Sequence, residues 1–129
     1  MRRGSPLERK KILAVLDDLF FTVKINEAAK RAGLEIEFVK SEIDAMAKAK
    51  ERPALIIFDL NCNAVEPLEL IQKIKGTVEA KGVSLIGYLS HIQGELKQKA
   101  YELGCDTVLA RSAFSQNLAV ILKRHAGSM

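Results

Sequence analysis

Five short apolar runs recur along the chain, each followed by a stretch of helical periodicity, and this alternation constrains the fold more than any other feature. Residues 11–16 (KILAVL) are nearly continuous apolar, as in a strand covered on both faces. Leu19, Phe20, Val23, Ala28 and Ala32 then recur at helical spacing, and Gly33 supplies a stop. Residues 34–40 (LEIEFVK) alternate apolar and charged, which predicts a half-covered strand near the sheet edge. Ser41, Glu42, Ile43 and Asp44 form a capping-box variant opening a short helix through Met46 and Ala49, with Pro53 as its end.

The most hydrophobic run, residues 54–59 (ALIIFD), predicts a central strand ending in Asp59. Glu66-Pro67 reads as a helix start, because proline is tolerated where the N–H would lack a partner. Leu68, Ile71, Ile74 and Val78 continue that helix toward Gly82. Residues 83–89 predict a fourth strand, 96–103 a helix ended by Gly104, 107–110 a fifth strand and 118–125 a last helix. Alternating β and α elements with apolar strands imply an α/β three-layer sandwich of the (βα)5, flavodoxin-like kind, with a parallel sheet between helices. Ile12, Ala14, Ile56, Phe58, Leu85, Ile86 and Val108 are the expected core. Ligands in such sheets gather at the carboxyl ends of the strands, where this chain places Asp17, Asp18, Asp59, Ser90 and Arg111.

Composition narrows the class. At 129 residues, 48% hydrophobic and 28% charged, the expectation is one domain over residues 11–126 between a basic tail (1–10) and a short closing tail (127–129). Met-Arg-Arg-Gly-Ser at the start and Gly-Ser-Met at the end read like vector-derived sequence. No apolar run approaches the length of a membrane span and no secretory h-region opens the chain, so a cytoplasmic location is expected. Cys62 and Cys105 fit neither a zinc knuckle nor a redox pair and read as free thiols, with Cys62 expected near the surface. The net charge of +4 resides in the first eleven residues, so the body is electroneutral and carries no nucleic-acid stripe.

Two segments resemble the receiver domain of two-component response regulators (CheY-like), and the resemblance spans residues 11–125. Residues 59–70 (DLNCNAVEPLEL) align without a gap on the family's phosphoacceptor strand and loop, and residues 104–111 (GCDTVLAR) on its Gly-Ala-Asp run into a fifth strand ending in Lys. The resemblance implies strand order 2-1-3-4-5, Asp59 at the phosphoacceptor position, and Ser90 as the hydroxyl that turns toward a phosphoryl group. It also implies Mg2+ held by an acidic pair after the first strand, the acceptor Asp and the carbonyl two residues beyond. One register places Leu16 and Asp17 on that pair, leaving Asp17, Asp59 and Asn61 as the metal set; a one-residue slide brings in Asp18. Outside that slide, Asp18 reads as a helix cap.

Several positions depart from the family's pattern. Arg111 stands where the family has Lys, and its planar, multiply donating fork is not a conservative exchange at a tight site. Ser112 replaces a Pro, Asn63 and Pro67 replace a loop Pro and Gly, His91 replaces a small residue, and Val108 stands where the family carries an aromatic switch. His91 lacks neighbours for a metal set. The resulting expectation is a non-enzymatic pseudo-receiver that signals through protein contact with a histidine kinase or downstream effector. Aspartyl phosphorylation is impaired or absent, magnesium binding is weakened, and Arg111 lies within salt-bridge reach of Asp59 or Asp17. Lys97, Tyr101, Lys123 and Arg124 mark the docking face that the resemblance implies. The alternatives are a conventional receiver phosphorylated on Asp59 by a histidine kinase, and a flavodoxin-like small-ligand binder. The latter is disfavoured because no Gly-rich loop follows the first strand.

Overall fold

Period-two and period-three-to-four patterns become strands and helices in strict alternation: β1 (Lys11–Val15), α1 (Leu19–Arg31), β2 (Glu35–Val39), α2 (Glu42–Ala49), β3 (Leu55–Asp59), α3 (Pro67–Lys75), β4 (Leu85–Leu89), α4 (Gly94–Leu103), β5 (Thr107–Ala110) and α5 (Arg111–His125). The computed structural model describes residues 10–90 and 94–125; the expectations for the two tails and for His91 lie outside the described residues. All four strand pairings are parallel, in the order β2-β1-β3-β4-β5. The chain therefore leaves β1 toward one side and β3 toward the other, creating a switch point above the carboxyl ends of β1 and β3.

Alternation along the strands divides the core between the two faces of the sheet. Leu13, Val15, Ile56, Phe58, Leu85 and Val108 pack with Leu70, Ile71, Ile74 and Ala100 of α3 and α4. Ile12, Ala14, Leu55, Ile57, Ile86 and Tyr88 pack with Phe21 and Ile25 of α1 and with Phe114 and Leu118 of α5. Every expected core residue is buried.

Two helix ends show why glycine stands where it does. After α1, Gly33 takes φ 75° and donates to Lys30 O while Leu34 N–H reaches Ala29 O, a Schellman closure followed by the buried Leu34. After α4, Gly104 takes φ 119° with the same pair of bonds to Tyr101 O and Ala100 O. A Cβ there would also stand 2.5 Å from the Lys75 side chain.

Four details differ from the sequence expectation. Helix α3 stops at Lys75 with Gly76 as its cap, leaving Val78 78% exposed rather than in a helical stripe. Helix α5 begins at Arg111, seven residues earlier than read, because Phe114 extends its buried stripe backwards. Phe20, read with Leu19 and Val23 in the apolar stripe of α1, is 63% exposed. Cys62 is buried, not at the surface, and burial pushes its thiol pKa up, so it lacks the thiolate character of a reactive cysteine.

Candidate functional site at the carboxyl ends of the strands

Asp59 ends the most apolar strand, and burial leaves it 8% exposed, the only charged side chain classed as buried among the described residues. Leu55 and Ile57 precede it at even spacing and face α1 and α5, so its carboxylate rises on that side of the sheet. One carboxylate oxygen accepts the Asn61 N–H at 2.9 Å, and the Asp59 carbonyl accepts from Cys62 N–H, folding the loop back over the strand end. Asn61 Oδ1 in turn accepts the Ser90 N–H at 2.8 Å. The loop after β3 is thereby tied to the end of β4, which places the backbone of Ser90 beside the Asp59 loop.

The two acids after β1 have separate positions. Asp17 is exposed, with Cys62 Sγ 3.7 Å from its Oδ1. Asp18 is the N-cap of α1: its Oδ1 accepts from Phe20 N–H at 2.9 Å and from Phe21 N–H at 3.5 Å. Its other oxygen, Oδ2, accepts from Arg111 Nη2 at 2.9 Å. The guanidinium also lies 4.9 Å from the Phe21 ring centroid, a cation–π arrangement. Arg111 thus pairs with Asp18, not with Asp59 or Asp17 as expected. The reason is local: capping fixes the Asp18 carboxylate with one oxygen turned outward, and Phe21 provides a platform for the planar cation. Leu16 is 1% exposed and extends the Ile12–Ala14 row into the α1/α5 core.

Electrostatics at Asp59 follow from this layout. Burial raises its pKa above the ordinary value, and the charges of Asp18 and Asp17 push the same way, against the pull of the Asn61 N–H and Arg111. Directly across in register from Asp59 stands Tyr88, whose ring stacks on Phe114 and tilts against Phe21, with centroids 4.7 and 4.8 Å apart. Among the described residues its buried hydroxyl has no hydrogen-bond partner, and burial followed by the charge of Asp59 raises its pKa strongly, so it stays protonated. Phe21, Tyr88 and Phe114 were not among the sequence-derived site residues. The available signal was Tyr88 at even spacing after Ile86, on the face that carries Asp59.

A magnesium ion takes one or two carboxylates with other oxygens around it. Among the described residues no three His, Cys, Asp or Glu side chains stand close enough to share a metal ion. Asp18 is engaged by Arg111 and by helix amides, and Asp17 faces a thiol. Asp18 is thus the member of the expected set that is already engaged; Asp17, Asp59 and Asn61 would be the residues to hold a magnesium ion.

The double role of Asp18 can be separated by two variants. Asp18→Ala, which removes cap and ion pair together, is expected to cost about 1 kcal/mol in urea unfolding. Asp18→Asn keeps an acceptor for the amides and should cost only a few tenths, about the worth of a half-exposed ion pair. Equal losses would show that the ion pair alone matters.

No family model and no curated protein matches the sequence. The structure does match solved receiver domains over nearly its whole length. The phosphorylated cyanobacterial phytochrome response regulator RcpA is 25% identical, with TM-score 0.76 and 91% of each chain covered. The chemotaxis response regulator CheY4 of Vibrio cholerae is 24% identical, with TM-score 0.78, covering 92% of this chain and 99% of that one. The receiver domain of the sensor histidine kinase PA1611 from Pseudomonas aeruginosa PAO1, which coordinates magnesium in its active-site cleft, is 22% identical with TM-score 0.78, covering 94% of this chain and all of that one. With five parallel strands in the order β2-β1-β3-β4-β5 and Asp59 at the end of the third, the chain has the fold of response-regulator receiver domains.

Proposed function

We propose that this domain is a pseudo-receiver: a non-enzymatic signalling module that acts through protein–protein contact, with phosphorylation of Asp59 impaired or absent. The observation that carries the reading is the position of Arg111, held by Asp18 and the Phe21 face. An aspartyl nucleophile needs a cation free to neutralise the incoming phosphoryl oxygens, and here that cation is already paired. The apolar Leu16, in the register that places it on the acidic pair, and the engagement of Asp18 weaken the metal-binding side of the chemistry in the same direction. A histidine kinase or a downstream effector fits as the partner class. No described helix is long and apolar enough to cross a membrane, in keeping with a cytoplasmic module.

The conventional receiver, phosphorylated on Asp59 by a histidine kinase, is the second reading, supported by Asp59 at the end of β3 and by the tie of Ser90 N–H to Asn61 in the loop that follows it. Titration with magnesium and beryllofluoride, followed by amide shifts, separates the two. The pseudo-receiver predicts no saturable shifts at Asn61 and Ser90 at millimolar reagent. Saturating shifts confined to the loop after β3 and the end of β4 would favour the conventional receiver.

A further inference from the structure

Three described residues take positive φ: Gly33 and Gly104, which close α1 and α4, and Arg52, at φ 60° beyond the end of α2. The left-handed region favours glycine, and the residue before a proline favours extended backbone, so an arginine directly ahead of Pro53 is held there at a cost. A glycine would close the same turn, made by the Arg52 N–H to Ala49 O bond, without that cost. What the glycine would lack is the guanidinium.

That side chain lines a cleft of about 410 Å³ with Lys10, Lys11, Glu51, Pro53 and Ala54, at the amino ends of β1 and β3 and so at the end of the sheet opposite Asp59. Pro53 is buried and Ala54 N–H donates to Lys11 O at 2.8 Å, which fixes the floor. Glu51 is shared between Lys11 and Lys48 at 3.9 and 3.7 Å, and Glu37 between the same lysines at 3.4 and 3.1 Å. Lys10 and Arg52 are exposed and have no ion pair among the described residues. With Lys48, Lys50 and the neighbouring Glu35 included, five cations stand against three acids, leaving two net positive charges. The adjoining groove beyond Ala54 adds Arg124 and Asp106, which cancel. The carbonyl end of α2 opposes an anion, but Met46, Lys48 and Ala49 O already accept from Lys50, Glu51 and Arg52 N–H.

We propose that this cleft binds a phosphate dianion, met by the planar fork of Arg52 and the point charge of Lys10. Two net positive charges match the charge of about −1.5 to −2 that a phosphate monoester carries at pH 7. The group arrives as inorganic phosphate or on a small organic ester, for which the cleft has the size of a small-ligand site. An exposed site of this kind is weak, with a dissociation constant of about 1 mM. The proposal does not depend on whether Asp59 is phosphorylated.

Amide shifts of the whole chain test it, in titrations with inorganic phosphate and with ribose 5-phosphate against sodium chloride of matched ionic strength. Saturating shifts are expected at Glu51, Arg52 and Ala54, not at Asn61 or Ser90. Arg52→Gly suits the left-handed turn, so it should melt no lower than the wild type by circular dichroism yet bind phosphate at least about fivefold more weakly. Lys10→Gln should weaken binding less, and Lys123→Gln, at an exposed position on α5 outside the cleft, should leave it unchanged. Tighter binding of ribose 5-phosphate assigns the cleft to an ester, and equal binding to phosphate itself. The proposal is overturned if no shift saturates at about tenfold above the expected constant, or if chloride reproduces the shifts. Shifts confined to Asn61 and Ser90, or an Arg52→Gly variant that binds as tightly as the wild type, overturn it as well.

Discussion

Leu16→Asp is expected to destabilise the protein by about 4 kcal/mol or more, enough to unfold much of a marginally stable domain. In the register that places Leu16 on the acidic pair, the substitution looks like the repair of a lost metal ligand. The packing says otherwise. Leu16 is 1% exposed and lies in the row of Ile12 and Ala14 against α1 and α5, so an aspartate there loses a buried aliphatic side chain and brings an unpaired carboxylate into the core. Urea unfolding checks it. A loss under 1 kcal/mol, with a gain in magnesium affinity, would mean that Leu16 occupies a vacant ligand position after all.

Asp59→Asn is expected to act in the opposite direction and raise stability at neutral pH by about 0.5–2 kcal/mol, several degrees in melting temperature. The folded-state pKa of Asp59 lies above its ordinary value because burial and the charges of Asp18 and Asp17 disfavour the carboxylate. The folded chain therefore binds more protons than the unfolded chain between the ordinary and the raised value, and stability falls as pH rises through that window. Above the raised value the penalty is complete. Asparagine removes it while keeping an acceptor for the Asn61 N–H. Below the ordinary value of 3.8 both states of the wild type hold the proton, and the advantage of the variant should vanish. Thermal melts at the two pH values check the sign; a variant less stable at pH 7 would contradict the account of the site.

The layer architecture was legible in the sequence because each strand is an apolar run and each helix keeps one stripe, so local pattern and global topology agree. The limits of α3 and α5 were less so. Val78 continues a helical spacing that Gly76 interrupts, and Phe114 lies outside the stripe from which the last helix was read. The position of Leu16 was within reach, since Ile12, Ala14 and Leu16 share a period of two.

Which carboxylate would hold Arg111 was not legible. Asp17, Asp18 and Asp59 all follow strand ends, and the sequence gives no measure of which is already oriented. Capping decides it: the amides of Phe20 and Phe21 fix Asp18 so that its outer oxygen meets the guanidinium, and Phe21 supports the cation from below. The same three-dimensional reasoning brings Tyr88 to Asp59, through strand register that no local motif encodes.

The central claim is that Arg111 is committed to Asp18 and that Asp59 consequently fails as a phosphoacceptor. Incubation of the whole chain with acetyl phosphate and magnesium, followed by intact mass spectrometry, tests it most directly. The account predicts little or no mass increase corresponding to a phosphoryl group in the wild type, and a clear gain in labelling for Asp18→Asn combined with Arg111→Lys, which frees a compact cation near Asp59. Ready, stoichiometric phosphorylation of the unmodified chain at Asp59 would contradict it and identify a conventional receiver.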